Sequence, residues 1–319
     1  MTNCTVTCYN STDGRQVDIQ SEAEIFASVM ITLTILGVGG NILCLVVLLR
    51  VQQTVKGTRL LKHLSITEIF ALVLCLLSKT LPDFITARHI YTSLKPFVSP
   101  LSFTVYTYEI YLTVLIAMQR ALALTKPLMF DIYVHKSTIN KMLIFLGIAS
   151  IALSVPHWIA LSPQLYFDQE LNRTWLHANG NPFRTSYGYS VFYSGYVTFI
   201  VQCFIPVIAL TISNSCLIYS RIQMTRRSVL PNDNGKKLIV VVIAITSISL
   251  VTHLISAAAM LFQENPYSLR LKDLFIVVKL SINFVFYSLF GRAFRATLLI
   301  VCGVTKSSVI GKTADVTSI

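Results

Sequence analysis

Seven stretches of this chain are apolar enough and long enough to cross a lipid bilayer, and nothing else in it narrows the fold as far. They cover residues 25–49, 60–82, 98–124, 139–161, 189–220, 236–262 and 272–289, the last interrupted by Lys279. Composition agrees: 54% of the residues are hydrophobic and 13% charged, against about a quarter charged in soluble domains. Hydrocarbon offers the backbone no hydrogen bonds, so each stretch is expected to be a helix and the whole an all-α membrane protein, a seven-helix bundle. Residues 1–24 are polar and lack a hydrophobic signal core, so the first apolar stretch is expected to act as signal-anchor. Residues 290–302 read as a short amphipathic helix on the inner surface, and 303–319 as a cytoplasmic tail.

Orientation follows from the basic residues. With the N-terminus outside, most Lys and Arg fall in the cytoplasmic loops and tail, among them Arg50, Lys56, Arg59, Arg221, Arg226, Arg227, Arg292 and Arg295. Three glycosylation sequons, at Asn3, Asn10 and Asn172, then all lie outside. The formal net charge of +12 is therefore a topology signal and a basic cytoplasmic face, with no implication of nucleic-acid binding.

Ionisable residues inside a membrane are costly, and so they are functional candidates. The stretch from Pro100 to Pro127 contains two, Glu109 near its middle and Arg120 near the end that leads to Lys126. Glu68 and Lys279 are the others in mid-span, while Lys79 near an outer end reads more readily as a snorkelling residue than as a ligand contact. Counting about 1.5 Å of rise per residue puts Glu68, Glu109 and Lys279 at one depth, with Asn283 one turn from Lys279 on the same face. A Glu-Lys-Glu group can satisfy hydrogen bonds that lone buried charges cannot, so Lys279 is expected to bridge both carboxylates.

Short motifs fall in order along these segments. IYLTVLIAMQRALALTKPL resembles the third transmembrane helix and second inner loop of rhodopsin-like (class A) G-protein-coupled receptors. Gly40-Asn41, LSITE with Glu68, FIPVIALTISN with Pro206 and Asn214, and SINFVFYSLFGRAFR resemble that family's signatures in the first, second, fifth and seventh helices. LVTHL with His253 and NFVFY resemble most the FMRFamide-like neuropeptide receptor group. The resemblance touches all seven segments, over roughly residues 25–302. Departures are as plain. Gln119 and Ala121 flank Arg120 where the family has an acid and a Tyr; Ile255 replaces the sixth helix's hinge Pro, and Phe284 the Pro of the seventh. No cysteine is available for the family's usual disulfide to the second outer loop, residues 162–188, which is expected to be a mobile lid.

The resemblance implies a receptor activated by an extracellular peptide and signalling through a heterotrimeric G protein from the plasma membrane. The alternatives are a chemosensory or other small-molecule receptor on the same fold and, further off, an ion or proton transporter. The retinal lysine of opsins is missing, since residue 277 is Val. No internal repeat marks a transporter, and no nucleophile-base pair, metal cluster or phosphate loop marks an enzyme or cofactor protein. The implied roles are ligand contact for Lys79, Asp83, Ser102, Tyr106, His253 and Glu264; relay for Asn41, Glu68, Glu109, Lys279 and Asn283; and G-protein coupling for Gln119, Arg120, Asn214 and Tyr287. Since the family keeps a sodium ion at the level of the relay, Lys279 is expected to stand in its place. Cys302 is a palmitoylation candidate beside membrane lipid, and the ending Val316-Thr317-Ser318-Ile319 fits a PDZ-domain partner.

Overall fold

In a computed structural model the chain is a bundle of seven spanning helical segments, with an eighth, amphipathic helix turned across one end. Residues 10–50, 58–80, 88–126, 130, 135–168, 173–177, 181–226, 233–261, 266–290 and 292–301 are described. The helices are α1 (Asn10–Arg50), α2 (Thr58–Cys75, continued by the wide π-turn Leu76–Thr80), α3 (Arg88–Thr125) and α4 (Lys136–Ala160). After a hairpin of β1 (Gln164–Asp168) and β2 (Arg173–His177) come π-helical turns at Gly188–Val197 and Ile200–Phe204, which lead into α5 (Ile205–Arg226). Then follow α6 (Asp233–Leu261), α7 (Pro266–Ser281), α8 (Asn283–Phe290) and α9 (Arg292–Val301).

The bundle is arranged for lipid. Along α4, Ile144, Phe145, Ile148 and Ile151 are each about 60–70% exposed, whereas Glu68, Glu109, Lys279 and Asn283 are at most 3% exposed. Apolar side chains outside and charges inside reverse the usual arrangement of a water-soluble domain. Six helices are each long and apolar enough to cross a membrane, and α7 and α8 make a seventh when taken together with α9, which leaves them at 96°. That sharp turn seats Phe294 against Tyr287 and Phe284, with ring centroids 5.7 and 6.2 Å apart.

Several boundaries differ from the sequence reading. Helix α1 starts at Asn10 rather than near residue 25, so part of the polar N-terminal region prolongs the helix. Helix α3 starts at Arg88 and runs through Pro96 and Pro100, where the sequence suggested a start. Proline interrupts a helix by removing one backbone donor and crowding the preceding turn, and membrane helices tolerate this where neighbours and Ser/Thr side chains compensate. Ser102 Oγ donates to Val98 O at 2.7 Å and Thr104 Oγ1 to Pro100 O at 2.9 Å, bonds that brace the turns after the prolines rather than replace the donors they lack. The loop between α4 and α5 holds the antiparallel hairpin, Gln164 opposite His177 through Asp168 opposite Arg173, and β2 packs on α3. The seventh span breaks at Ile282 although Phe284 replaces the family's Pro. Ser281 Oγ turns back onto Val277 O (2.7 Å) and Leu33 O (3.2 Å), and such back-bonding bends helices.

Close approach of α1 to this break depends on glycine. A Cβ on Gly37 would meet Ser281 Cβ at 2.7 Å and Leu72 Cδ1 at 2.9 Å, and one on Gly40 would meet Phe284 Cβ at 3.0 Å. At Gly39, the first member of the pair visible in the sequence, nothing lies within 4 Å. Gly37→Ala is accordingly expected to cost about 1–3 kcal/mol through overpacking, and Gly39→Ala less than about 0.5. Thermal unfolding of the two purified variants in detergent checks the contrast, and equal losses would contradict it.

Candidate functional site

Two buried polar pairs cross the middle of the bundle. Lys279 on α7 donates to both oxygens of Glu109 on α3, at 2.6 and 2.5 Å, and Thr113 Oγ1 adds a bond to Oε1 at 3.0 Å. The side chains are 4% and 0% exposed, so the pair is fully withdrawn from solvent and lipid. Beside it, Asn283 Nδ2 on α8 donates to Glu68 Oε1 on α2, and Glu68 Oε2 has no hydrogen-bond partner. This corrects the expected Glu-Lys-Glu bridge. Lys279 holds Glu109 alone, and the Asn283 amide occupies Glu68 instead. It also bears on the ion implied by resemblance: both Glu109 oxygens already take an ammonium, so that carboxylate does not fit a further cation.

Asn41 joins α1 to the same region through Nδ2, which donates to Leu280 O at 2.8 Å, two residues before the break. Losing that bond in Asn41→Ala leaves a buried carbonyl short of a donor, for an expected cost of about 1–3 kcal/mol. The half-life of the detergent-purified variant at elevated temperature measures it; a half-life equal to that of wild type would refute the assignment.

A cavity of about 500 Å³, within the usual range for ligand sites, opens at the hairpin end among α2 to α7. Of the six expected contact residues, Lys79, Ser102 and Tyr106 lie on its wall. His253 does not: it is 1% exposed and packed within the bundle, because the α6 residue that faces the cavity is Ser256, nearly one turn further along. Asp83 and Glu264 lie outside the described residues. The Lys79 side chain, 46% exposed at the cavity mouth, faces a partner on α7. Its ammonium lies 3.7 Å from Asp273 Oδ2 on α7, and Lys272 approaches Oδ1 of the same carboxylate at 3.9 Å. Neither Lys272 nor Asp273 stood out in the sequence, where they sit at the edge of the seventh apolar stretch and read as interface charges. A lysine on α2 facing a Lys-Asp step on α7 was the signal available. On the α4 side, His157 stacks on Phe103 at 5.2 Å and bonds Tyr189 OH through Nδ1 at 2.6 Å, fixing the wall.

At the opposite end, Arg120 and Tyr287 border a gap of only about 10 Å³ beside Thr246, scarcely room for one water. Asn214 stays off that gap, its Oδ1 accepting from Thr246 Oγ1 at 2.5 Å. Gln119 is 7% exposed, and neither of its amide atoms has a partner. Arg120 makes no ion pair among the described residues, and its Nε is likewise unpartnered. The side chains of Asn3, Asn10, Asn172 and Cys302, and the last four residues, lie outside the described set.

No family model matches this chain. It is similar to the FMRFamide receptor of Drosophila melanogaster, 23% identical over 286 residues, which is 84% of this chain and 52% of that protein. The chain thus spans about half the length of the curated relative it matches.

Proposed function

We propose that the protein is a G-protein-coupled receptor of the plasma membrane, its hairpin end and N-terminus outside, activated by a peptide and signalling through a heterotrimeric G protein. The observation that carries the reading is the likeness to a receptor across 84% of the chain, in a bundle with a ligand-sized cavity at one end. Ligand in that cavity touches α2, α3 and α7, which carry Glu68, Glu109 and Lys279 beneath it, and Asn283 on α8 completes the second pair. A ligand that favours one arrangement of these pairs shifts the bundle toward the state it fits better. The gap at Arg120 must then widen by outward movement of α6, which exposes Arg120, Asn214 and Tyr287 to the G protein. Gln119, Asn41 and the two pairs set the balance between the states.

Functional expression with a panel of peptides, each made as the free acid and as the amide and read by second messengers, tests this. A saturable response abolished by Arg120→Ala, at unchanged surface expression, is expected. No response to any ligand, together with no effect of Arg120→Ala on basal output, would overturn it.

A further inference from the structure

We propose that the cavity at the hairpin end takes an anionic group of its ligand, a carboxylate or sulfate, between Lys79 and Lys272. The inference rests on the receptor reading only in placing the ligand in this cavity.

The charge on the wall is uneven. Among the described lining residues, Lys79 and Lys272 are cationic and Asp273 is the lone acid, leaving one unmatched positive charge. Both ammoniums stand off from the shared carboxylate, at 3.7 and 3.9 Å, beyond the 2.7–2.9 Å of a charge-assisted hydrogen bond. Asp273 therefore positions the two lysines without saturating either. The carboxylate deeper in the bundle, Glu109, is already held by Lys279. In a low-dielectric cavity an unmatched ammonium attracts one negative charge more strongly than it would in water.

The uncharged part of the wall points the same way. Ser78 Oγ is buried and has no hydrogen-bond partner, and Tyr106 OH and Ser256 Oγ, buried beside each other, have at most one another. All three line the cavity, on α2, α3 and α6. Hydroxyls donate as readily as they accept, so beside two ammoniums they complete a set of donors suited to an oxyanion. The peptide spelled by the relative's name, Phe-Met-Arg-Phe amide, carries a cation and an uncharged end, so it is a poor match for this wall.

The test reads the cavity's field without knowing the ligand. Full-length receptor carrying Ser78→Cys, in a Cys75→Ser, Cys203→Ser background, is labelled with a sulfonate-bearing methanethiosulfonate and with its trimethylammonium counterpart. Each rate is normalised to that with a free small thiol, and labelling at position 78 is read by peptide mass spectrometry. The sulfonate is expected to win by about tenfold, the worth of one partly screened charge. Lys79→Gln and Lys272→Gln should each shrink that ratio, and Asp273→Asn should widen it. A ratio at or below one, a ratio indifferent to Lys272→Gln, or no labelling by either reagent overturns the proposal. In a second arm, protection by N-acetyl-Phe-Phe alone assigns the anion to a peptide end, and protection by phenylacetate alone assigns it to a small acid. Their neutral amides protecting equally well counts against an anion site. Labelling does not require coupling, so an anion-selective cavity in a silent protein would refute only the receptor reading, and a signalling receptor with a cation-selective cavity only this one.

Discussion

Lys279→Ala is expected to destabilise the bundle by about 3–5 kcal/mol, because it strands Glu109 as a buried carboxylate with only Thr113 for a partner. The size of the loss comes from the uncompensated charge and not from the pair's own net worth, which desolvation largely offsets. The identity of the rescuing second mutation is the sharper result. Glu109→Gln removes the stranded charge and should restore most of the stability lost in Lys279→Ala. Glu68→Gln should restore little, since Glu68 bonds Asn283 and not Lys279. A thermal-unfolding double-mutant cycle for each acid measures the two couplings. Equal rescue by both acids would mean that Lys279 is shared between them after all.

That pairing shows where sequence reasoning stops. Helical rise was enough to bring Glu68, Glu109 and Lys279 to one depth, because it depends only on position along each helix. Which acid receives the lysine depends on rotation of α7 about its axis, which is not written in residue spacing. Seven apolar segments read as seven spans because hydropathy is a sum over about twenty residues and survives local errors. Their ends did not read as well: α3 begins at Arg88, well before Pro100, and passes through both Pro96 and Pro100. Lys79, Ser102 and Tyr106, contacts implied by the resemblance, lie on the cavity wall, although Lys79 by its chemistry read first as a snorkelling residue. Lys272 and Asp273 were not, because charges at the mouth of an apolar segment are ordinary at a membrane interface. His253 misled because residue type and a motif's likeness carried it to a pocket that the geometry of α6 gives to Ser256. Gly37 lacked any motif, and only the approach of Ser281 reveals its role.

Gln119→Glu is expected to lower ligand-independent signalling. In the proposed receptor Arg120 is the residue that the G protein must reach, and whatever holds it in the closed state sets the basal output. In this chain it is held by little. No acid pairs with it among the described residues, its Nε has no partner, and neighbouring Gln119 leaves both amide atoms unbonded. A carboxylate at 119 would be nearly as buried as the glutamine, and Arg120 is the cation next to it, so the closed state gains a charge-assisted contact that the open state loses. Such a bond exceeds a neutral one by about 1–2 kcal/mol, which shifts the resting equilibrium by roughly five- to thirtyfold toward the closed form. Second-messenger output without ligand, at matched surface expression, should fall accordingly, while the maximal response to a saturating agonist should fall less. Tyr287→Phe serves as a comparison, since it alters the far wall of the same gap without supplying a charge. If Gln119→Glu leaves basal output unchanged in a receptor that still couples, then packing of α6 over the 10 Å³ gap, and not the absence of an acid, governs its resting state.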